Sequence, residues 1–215
     1  MMIGIIGRPL KVEGFNKIIY SKAVIDVILR YNAIPIGIIP TIINISNEID
    51  KTEKEKIYKM IDLCDGIILQ GGSNYYNYDI EAIKYINDKD IPLLGICLGM
   101  QSMAITTGGK LTNINDHKDI SMKYVHKVKL KKDSVLYKIY KKECLMVNSN
   151  HKSKVINSGN YIVTGYDLKG NIEAIELPNK TFNIGVQWHP EYMINYDEDA
   201  KKIFDEFFNI IKTKK

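Results

Sequence analysis

Gly95-Ile96-Cys97-Leu98-Gly99-Met100-Gln101 joins an apolar run, Ile91-Pro92-Leu93-Leu94, to the segment Ser102-Met103-Ala104-Ile105-Thr106-Thr107, which stops at Gly108. The first run reads as a short buried strand and the second as a helix, so Cys97 sits at a strand-to-helix turn with a glycine two residues away on each side. This is the spacing of a nucleophile elbow, in which a strained turn presents one side chain at the top of a sheet and small neighbours let the backbone fold that tightly. The helix that begins there points free N–H groups at the sulfur, which favours thiolate over thiol. The competing reading is packing, because cysteine is among the most buried residue types. A base decides between them.

Gly185-Val186-Gln187-Trp188-His189-Pro190-Glu191 supplies a candidate. Phe182 to Val186 reads as a strand, His189 lies just past its exit, and Pro190 forbids simple continuation of a ladder. Glu191 is close enough in sequence to orient the imidazole and to stabilise its charged form, as the carboxylate does in a Cys/His/acid triad. A third piece is Ile67-Ile68-Leu69-Gln70-Gly71-Gly72-Ser73, an apolar strand running into paired glycines. Acyl transfer needs backbone N–H donors where the oxyanion forms. One is expected from Leu98 and the other from Gly71 or Gly72.

These three stretches resemble the motifs of the class I (triad) glutamine amidotransferases, in the same order and across essentially the whole chain. Ile3-Gly4-Ile5-Ile6-Gly7, Val147-Asn148-Ser149-Asn150-His151 and Gly185 to Glu191 are most similar to the gamma-glutamyl-gamma-aminobutyrate hydrolase (peptidase C26) branch, whose members stand alone. The resemblance implies a flavodoxin-like fold, Cys97, His189 and Glu191 as the catalytic set, and Gln101, Ser149 and Asn150 as substrate contacts. His151 belongs to the same substrate-loop segment. The family's loop often carries a glutamine where this chain has Ser153, and only Ser73 to Asp90 separates the glycine pair from the nucleophile strand.

The rest of the chain is consistent with this reading. Its 215 residues, 45% hydrophobic and 26% charged, suit one globular domain spanning 1–215. No run approaches the ~20 apolar residues that span a bilayer, and the N-terminus has no signal-peptide layout. Cys64, Cys97 and Cys144 show no paired spacing, which points to a reducing, cytoplasmic setting. The net charge is +5, yet the lysines are interleaved with acids, so no nucleic-acid face is expected. The histidines and cysteines lack metal-ligand spacing and no phosphate loop occurs, so neither metal nor cofactor is expected. His117 and His126 read as surface residues, and Tyr75, Tyr76 and Tyr78 as a pocket wall.

Up to Cys97 the pattern alternates strand and helix. Strands are expected at Met2–Gly7, Ile34–Ile39, Gly66–Leu69 and Leu93–Ile96, and helices at Ile18–Tyr31, after a capping box at Thr52-Glu53-Lys54-Glu55, and at Asp79–Ile86. Such repeats predict an α/β fold with a mostly parallel central sheet, helices on both faces, and ligands at the carboxyl ends of the strands. After Gly109, β-like runs at Tyr124–Leu130, Cys144–Val147, Tyr161–Tyr166 and Ile172–Leu177 predict a small antiparallel extension. Asp197 then caps a final helix with Ala200, Ile203, Phe204, Phe207, Phe208 and Ile211 on its buried side.

The expected activity is hydrolysis of a small gamma-glutamyl compound through a Cys97 thioester. The alternative is a glutaminase subunit that feeds ammonia to a separate synthetase. Partners beyond the substrate are then a second copy of the chain or that synthetase.

Overall fold

The computed structural model describes residues 1–40, 49–114, 118–119 and 123–214. Its first part runs β1 (Met2–Ile6), β2 (Arg8–Val12), β3 (Phe15–Ile19), α1 (Lys22–Arg30), β4 (Ile34–Ile38), α2 (Lys51–Ile61), β5 (Gly66–Leu69), α3 (Asn77–Asp88), β6 (Leu93–Ile96) and α4 (Leu98–Thr106). There follow β7 (Lys110–Asn113), β8 (Lys118–Asp119), β9 (His126–Leu130), α5 (Val135–Tyr140), β10 (Cys144–Val147), β11 (Ser149–Asn150) and β12 (Ser153–Asn157). The chain ends with β13 (Ile162–Asp167), β14 (Ile172–Glu176), β15 (Asn183–Val186), α6 (Pro190–Met193) and α7 (Glu198–Thr213).

The apolar runs predicted to be buried strands form the centre of one sheet, in the order β10-β9-β13-β14-β15-β6-β5-β1-β4. From β15 to β4 all neighbours are parallel, and β5, β6 and β15 are buried along their whole length. Such strands lack polar alternation because helices cover both faces. On one face Ile68 packs with Val24 and Ile28 of α1 and Phe204 and Phe207 of α7. On the other, Ile67 and Leu69 meet Ile61 of α2, Ile83 of α3 and Met103 of α4. The antiparallel extension continues the same sheet through β14, β13, β9 and β10.

The final helix follows its periodicity. Asp197 accepts the Asp199 N–H, and Ala200, Ile203, Phe204, Phe207, Phe208 and Ile211 are all buried. Each large apolar side chain there contributes roughly 1.5–3 kcal/mol relative to exposure.

Two expectations are corrected. The first helix begins at Lys22 rather than Ile18, because Arg8 to Ile19 forms a hairpin. Its two-residue turn puts both Glu13 (φ 50°) and Gly14 (φ 85°) in the left-handed region, the backbone that joins strands tightly with the right twist. The cap of α2 is Asp50, whose carboxylate accepts the Glu53 N–H at 2.9 Å, rather than Thr52. Helix α5 was not legible: part of its N-terminal end is held from afar, Glu176 accepting the Val135 and Leu136 N–H groups at 3.0 and 2.9 Å.

Candidate active site

Three distant motifs meet because their strands are parallel neighbours. Leu69 and Gly185 both pair with Gly95, so the carboxyl ends of β5, β6 and β15 open on the same edge. Gly71, Cys97 and His189 follow those ends, where ligands bind open α/β sheets.

Cys97 has φ 54° and ψ −105°, a conformation that costs an L residue on the order of 1–3 kcal/mol and must be held by its surroundings. Its N–H donates to the Val186 carbonyl at 2.8 Å and its own carbonyl accepts the Gln101 N–H at 3.1 Å. The flanking glycines allow the turn to close. A Cβ on Gly99 would run into the Leu69 carbonyl oxygen, and one on Gly95 would lie 2.9 Å from the Gly99 and Met100 backbone. Leu98 is the first residue of α4, and the leading N–H groups of a helix have no intrahelical acceptor.

His189 is 6% exposed and its Nδ1 lies 2.8 Å from Glu191 Oε1. The Cys97 side chain is the ring's other polar neighbour. Asn148 fixes the main chain of His189 through two bonds, accepting its N–H at 2.8 Å and donating to its carbonyl at 2.9 Å. Burial by itself lowers the His189 pKa, but the Glu191 and Cys97 side chains outweigh it and hold the imidazole well above its ordinary value. The Cys97 Sγ is 4.0 Å from the Asn150 carbonyl oxygen. A Cβ on Gly71 would sit 2.8 Å from His189 Cε1 and 3.7 Å from the Cys97 Cβ, so this glycine touches both groups.

These groups line a cavity of about 700 Å³ that Gly72, Gln101, Asn150 and His151 also border. Gln101 is 4% exposed, and its Nε2 donates to the Ser153 carbonyl at 2.9 Å and to Gln187 at 3.1 Å. Ser149, expected as a substrate contact, is 1% exposed on β11, paired with β8, and does not border the cavity. Tyr76 borders the cavity, whereas Tyr78 is buried and donates to the Gly7 carbonyl at 3.2 Å.

Several site features were not expected from sequence. Arg8 borders the cavity and pairs with Asp79 at 2.6 Å, both side chains being buried. Its position at the carboxyl end of β1 was the available signal. Gln70 turns its amide inward, donating to the Ile6 and Ile19 carbonyls and accepting from the Ser21 N–H, and so ties the hairpin to the sheet. His126 is a correction: its side chain is only 16% exposed and lies 3.3 Å from the buried Glu173. His151 Nε2 is 3.7 Å from the same carboxylate. His117 lies outside the described residues.

Among the described residues no group of three or more His, Cys, Asp or Glu side chains is arranged to hold a metal ion. No described helix is long and apolar enough to cross a membrane.

Known proteins resemble this chain in sequence and in fold. Residues 76–191 match the peptidase C26 family. The chain is 28% identical to the glutamine amidotransferase-like protein YvdE of Lactococcus lactis, over 97% of this chain and 98% of that protein. It is 33% identical to one of the subunits of the glutamine-hydrolysing GMP synthase of Picrophilus torridus, over 67% of this chain and 75% of that relative. The glutaminase domain of Trypanosoma brucei CTPS, solved with acivicin bound, superposes with a TM-score of 0.74 over 99% of this chain and 94% of that one. At 17% identity it is a likeness of fold.

Proposed function

The chain belongs to the peptidase C26 family of class I glutamine amidotransferase-like enzymes, and from that premise we propose that it hydrolyses the side-chain amide of a small gamma-glutamyl compound. The observation that carries this reading is the strained Cys97 elbow facing a buried His189 whose other ring nitrogen is held by Glu191 at 2.8 Å.

The Cys97 proton passes to His189, and the thiolate attacks the amide carbonyl carbon. The resulting oxyanion is received by the N–H of Leu98 and of Gly71 or Gly72. The C–N bond breaks as the imidazolium returns its proton to the leaving amine, and a thioester remains. His189 then takes a proton from water, whose oxygen attacks the thioester; glutamate leaves and the thiol is restored. Dividing one hydrolysis in this way replaces a high barrier with two lower ones. Glu191 stabilises the charged imidazole throughout. Gln101 and Asn150 border the space for the glutamyl group.

A second reading has support of its own: the 33% identity to part of a synthetase favours a glutaminase that passes ammonia to a partner chain. Glutamate release by the purified protein, from gamma-glutamyl-gamma-aminobutyrate and from glutamine side by side with Cys97→Ala as control, separates the two. Cys97-dependent turnover of the first substrate alone supports the stand-alone hydrolase. Weak glutamine hydrolysis that rises on adding a synthetase supports the second, and turnover that survives Cys97→Ala overturns both.

A further inference from the structure

Tyr192 stands beside the imidazole of His189, the two ring centroids 5.3 Å apart and the planes tilted by 38°. It follows Glu191 on α6 and is 55% exposed. The hairpin of β2 and β3 brings two more apolar side chains to the border of the same cavity, Leu10 (44% exposed) and Ile19 (42% exposed). Arg8 pairs directly with Ile19, and Leu10 lies two residues on from Arg8, so the three side chains share one face of the hairpin. That face is fixed in place, because Arg8 is tied to Asp79 and Gln70 donates to the Ile19 carbonyl at 3.1 Å. Apolar side chains held open on the rim of a polar cavity mark a place for the hydrocarbon of a ligand.

The chemistry indicates which part of a substrate meets this rim. Glu191 holds Nδ1 of His189 at 2.8 Å, so the leaving nitrogen receives its proton from the other ring nitrogen and must come within hydrogen-bond reach of it. The group that this nitrogen carries then lies next to Tyr192. A cavity of about 700 Å³ has more room than a glutamyl group and ammonia fill. Its charges exclude one class of amine. Among the described residues that border the cavity, Glu191 is the one carboxylate, and His189 occupies it. Of the cations there, Arg8 is paired with Asp79 and Lys22 with Asp26, and Lys152 adds a further positive charge. A second ammonium on the amine would find no partner.

We propose that the leaving amine carries a hydrocarbon body, alkyl or aryl, which lies against Tyr192, Leu10 and Ile19, and that these three residues select the amine. The inference rests on the proposed function and names the substrate class within it, a gamma-glutamyl amide of an apolar amine. Tyr192 contributes the face of its ring, the part of the side chain that packs on hydrocarbon and on other rings.

The test compares kcat/KM for glutamate release from the gamma-glutamyl methylamide, benzylamide, n-pentylamide and 4-aminobutylamide, the last two being equal in length. The benzylamide should exceed the methylamide, and the pentylamide the aminobutylamide, by about tenfold or more, the discrimination that a methylene or more gains in an apolar pocket. Tyr192→Ala should bring the benzylamide close to the methylamide, Tyr192→Phe should keep them apart, and Leu10→Ser should narrow the gap between the pentylamide and the aminobutylamide. Cys97-dependent turnover without preference among the amides, or a preference unmoved by Tyr192→Ala and Leu10→Ser, overturns the subsite and leaves the hydrolase standing. If no amide is hydrolysed, the proposed function fails, and calorimetry on Cys97→Ala decides the subsite alone. There the benzylamide should bind about tenfold more tightly than the methylamide, and equal binding overturns the proposal.

Discussion

Asn148 grips the peptide of His189 from both sides, its Oδ1 taking the N–H at 2.8 Å and its Nδ2 giving to the carbonyl at 2.9 Å. The imidazole is thus positioned twice, through its ring by Glu191 and through its main chain by a residue 41 positions earlier. Asn148→Ala should lower kcat for glutamate release about 10- to 100-fold with a small change in KM, because misplacing a reacting group acts on the chemical step. An unchanged kcat would remove Asn148 from the positioning role.

Glu191→Gln separates the electrostatic part of that arrangement. The His189 pKa in the folded chain lies well above its ordinary value of 6.5. A raised folded-state pKa adds stability that is fully present below the unfolded value and is lost as pH rises through the folded one. The stability difference between wild type and Glu191→Gln should therefore be largest below about pH 6.5 and shrink toward alkaline pH, as read by denaturant unfolding. A difference that grows with pH would contradict the assignment of Glu191 as the partner of a charged imidazole.

Two glycines should fail in different ways. A methyl at Gly71 meets His189 Cε1 at 2.8 Å, and that ring is pinned, so Gly71→Ala should reduce turnover by about 10²-fold with little loss of stability. A methyl at Gly99 meets the Leu69 backbone, which cannot yield as a side chain does. Gly99→Ala should cost about 1–3 kcal/mol in unfolding free energy. Equal effects of the two on stability would refute the distinction.

The buried Arg8–Asp79 pair gives a fourth test. Removing one partner strands the other charge, so Asp79→Leu or Arg8→Met alone should cost about 3–5 kcal/mol. The double replacement should cost clearly less than the sum. Additive losses in a double-mutant cycle would mean that the two side chains do not depend on each other.

The parts of the site that were legible in sequence are those whose chemistry is local. Cys97 between two glycines, His189 two residues before Glu191 and the Gly71-Gly72 pair announce themselves by spacing, and the parallel register of β5, β6 and β15 does the rest. What escaped were partnerships across the chain. Asn148 with His189, Arg8 with Asp79, and Glu173 between His126 and His151 are joined only by folding. The hairpin at Arg8–Ile19 escaped for another reason: Glu13-Gly14 is a weaker turn signal than Asn-Gly, and the apolar residues on either side of Ser21 extend the helical period of α1 backward.

The most direct test of the central claim is the site of covalent modification by a chloroketone analogue of glutamine, read by intact mass and peptide mapping. The chain offers three free cysteines: Cys64 and Cys97 are buried and Cys144 is exposed. Burial, with Asp65 beside it, pushes the Cys64 thiol up to about 12. Exposure alone would direct the reagent to Cys144. The account predicts a single thioether at Cys97, with loss of chloride and of glutamate release, and protection by glutamine. Labelling confined to Cys144, or full activity with Cys97 alkylated, would contradict it.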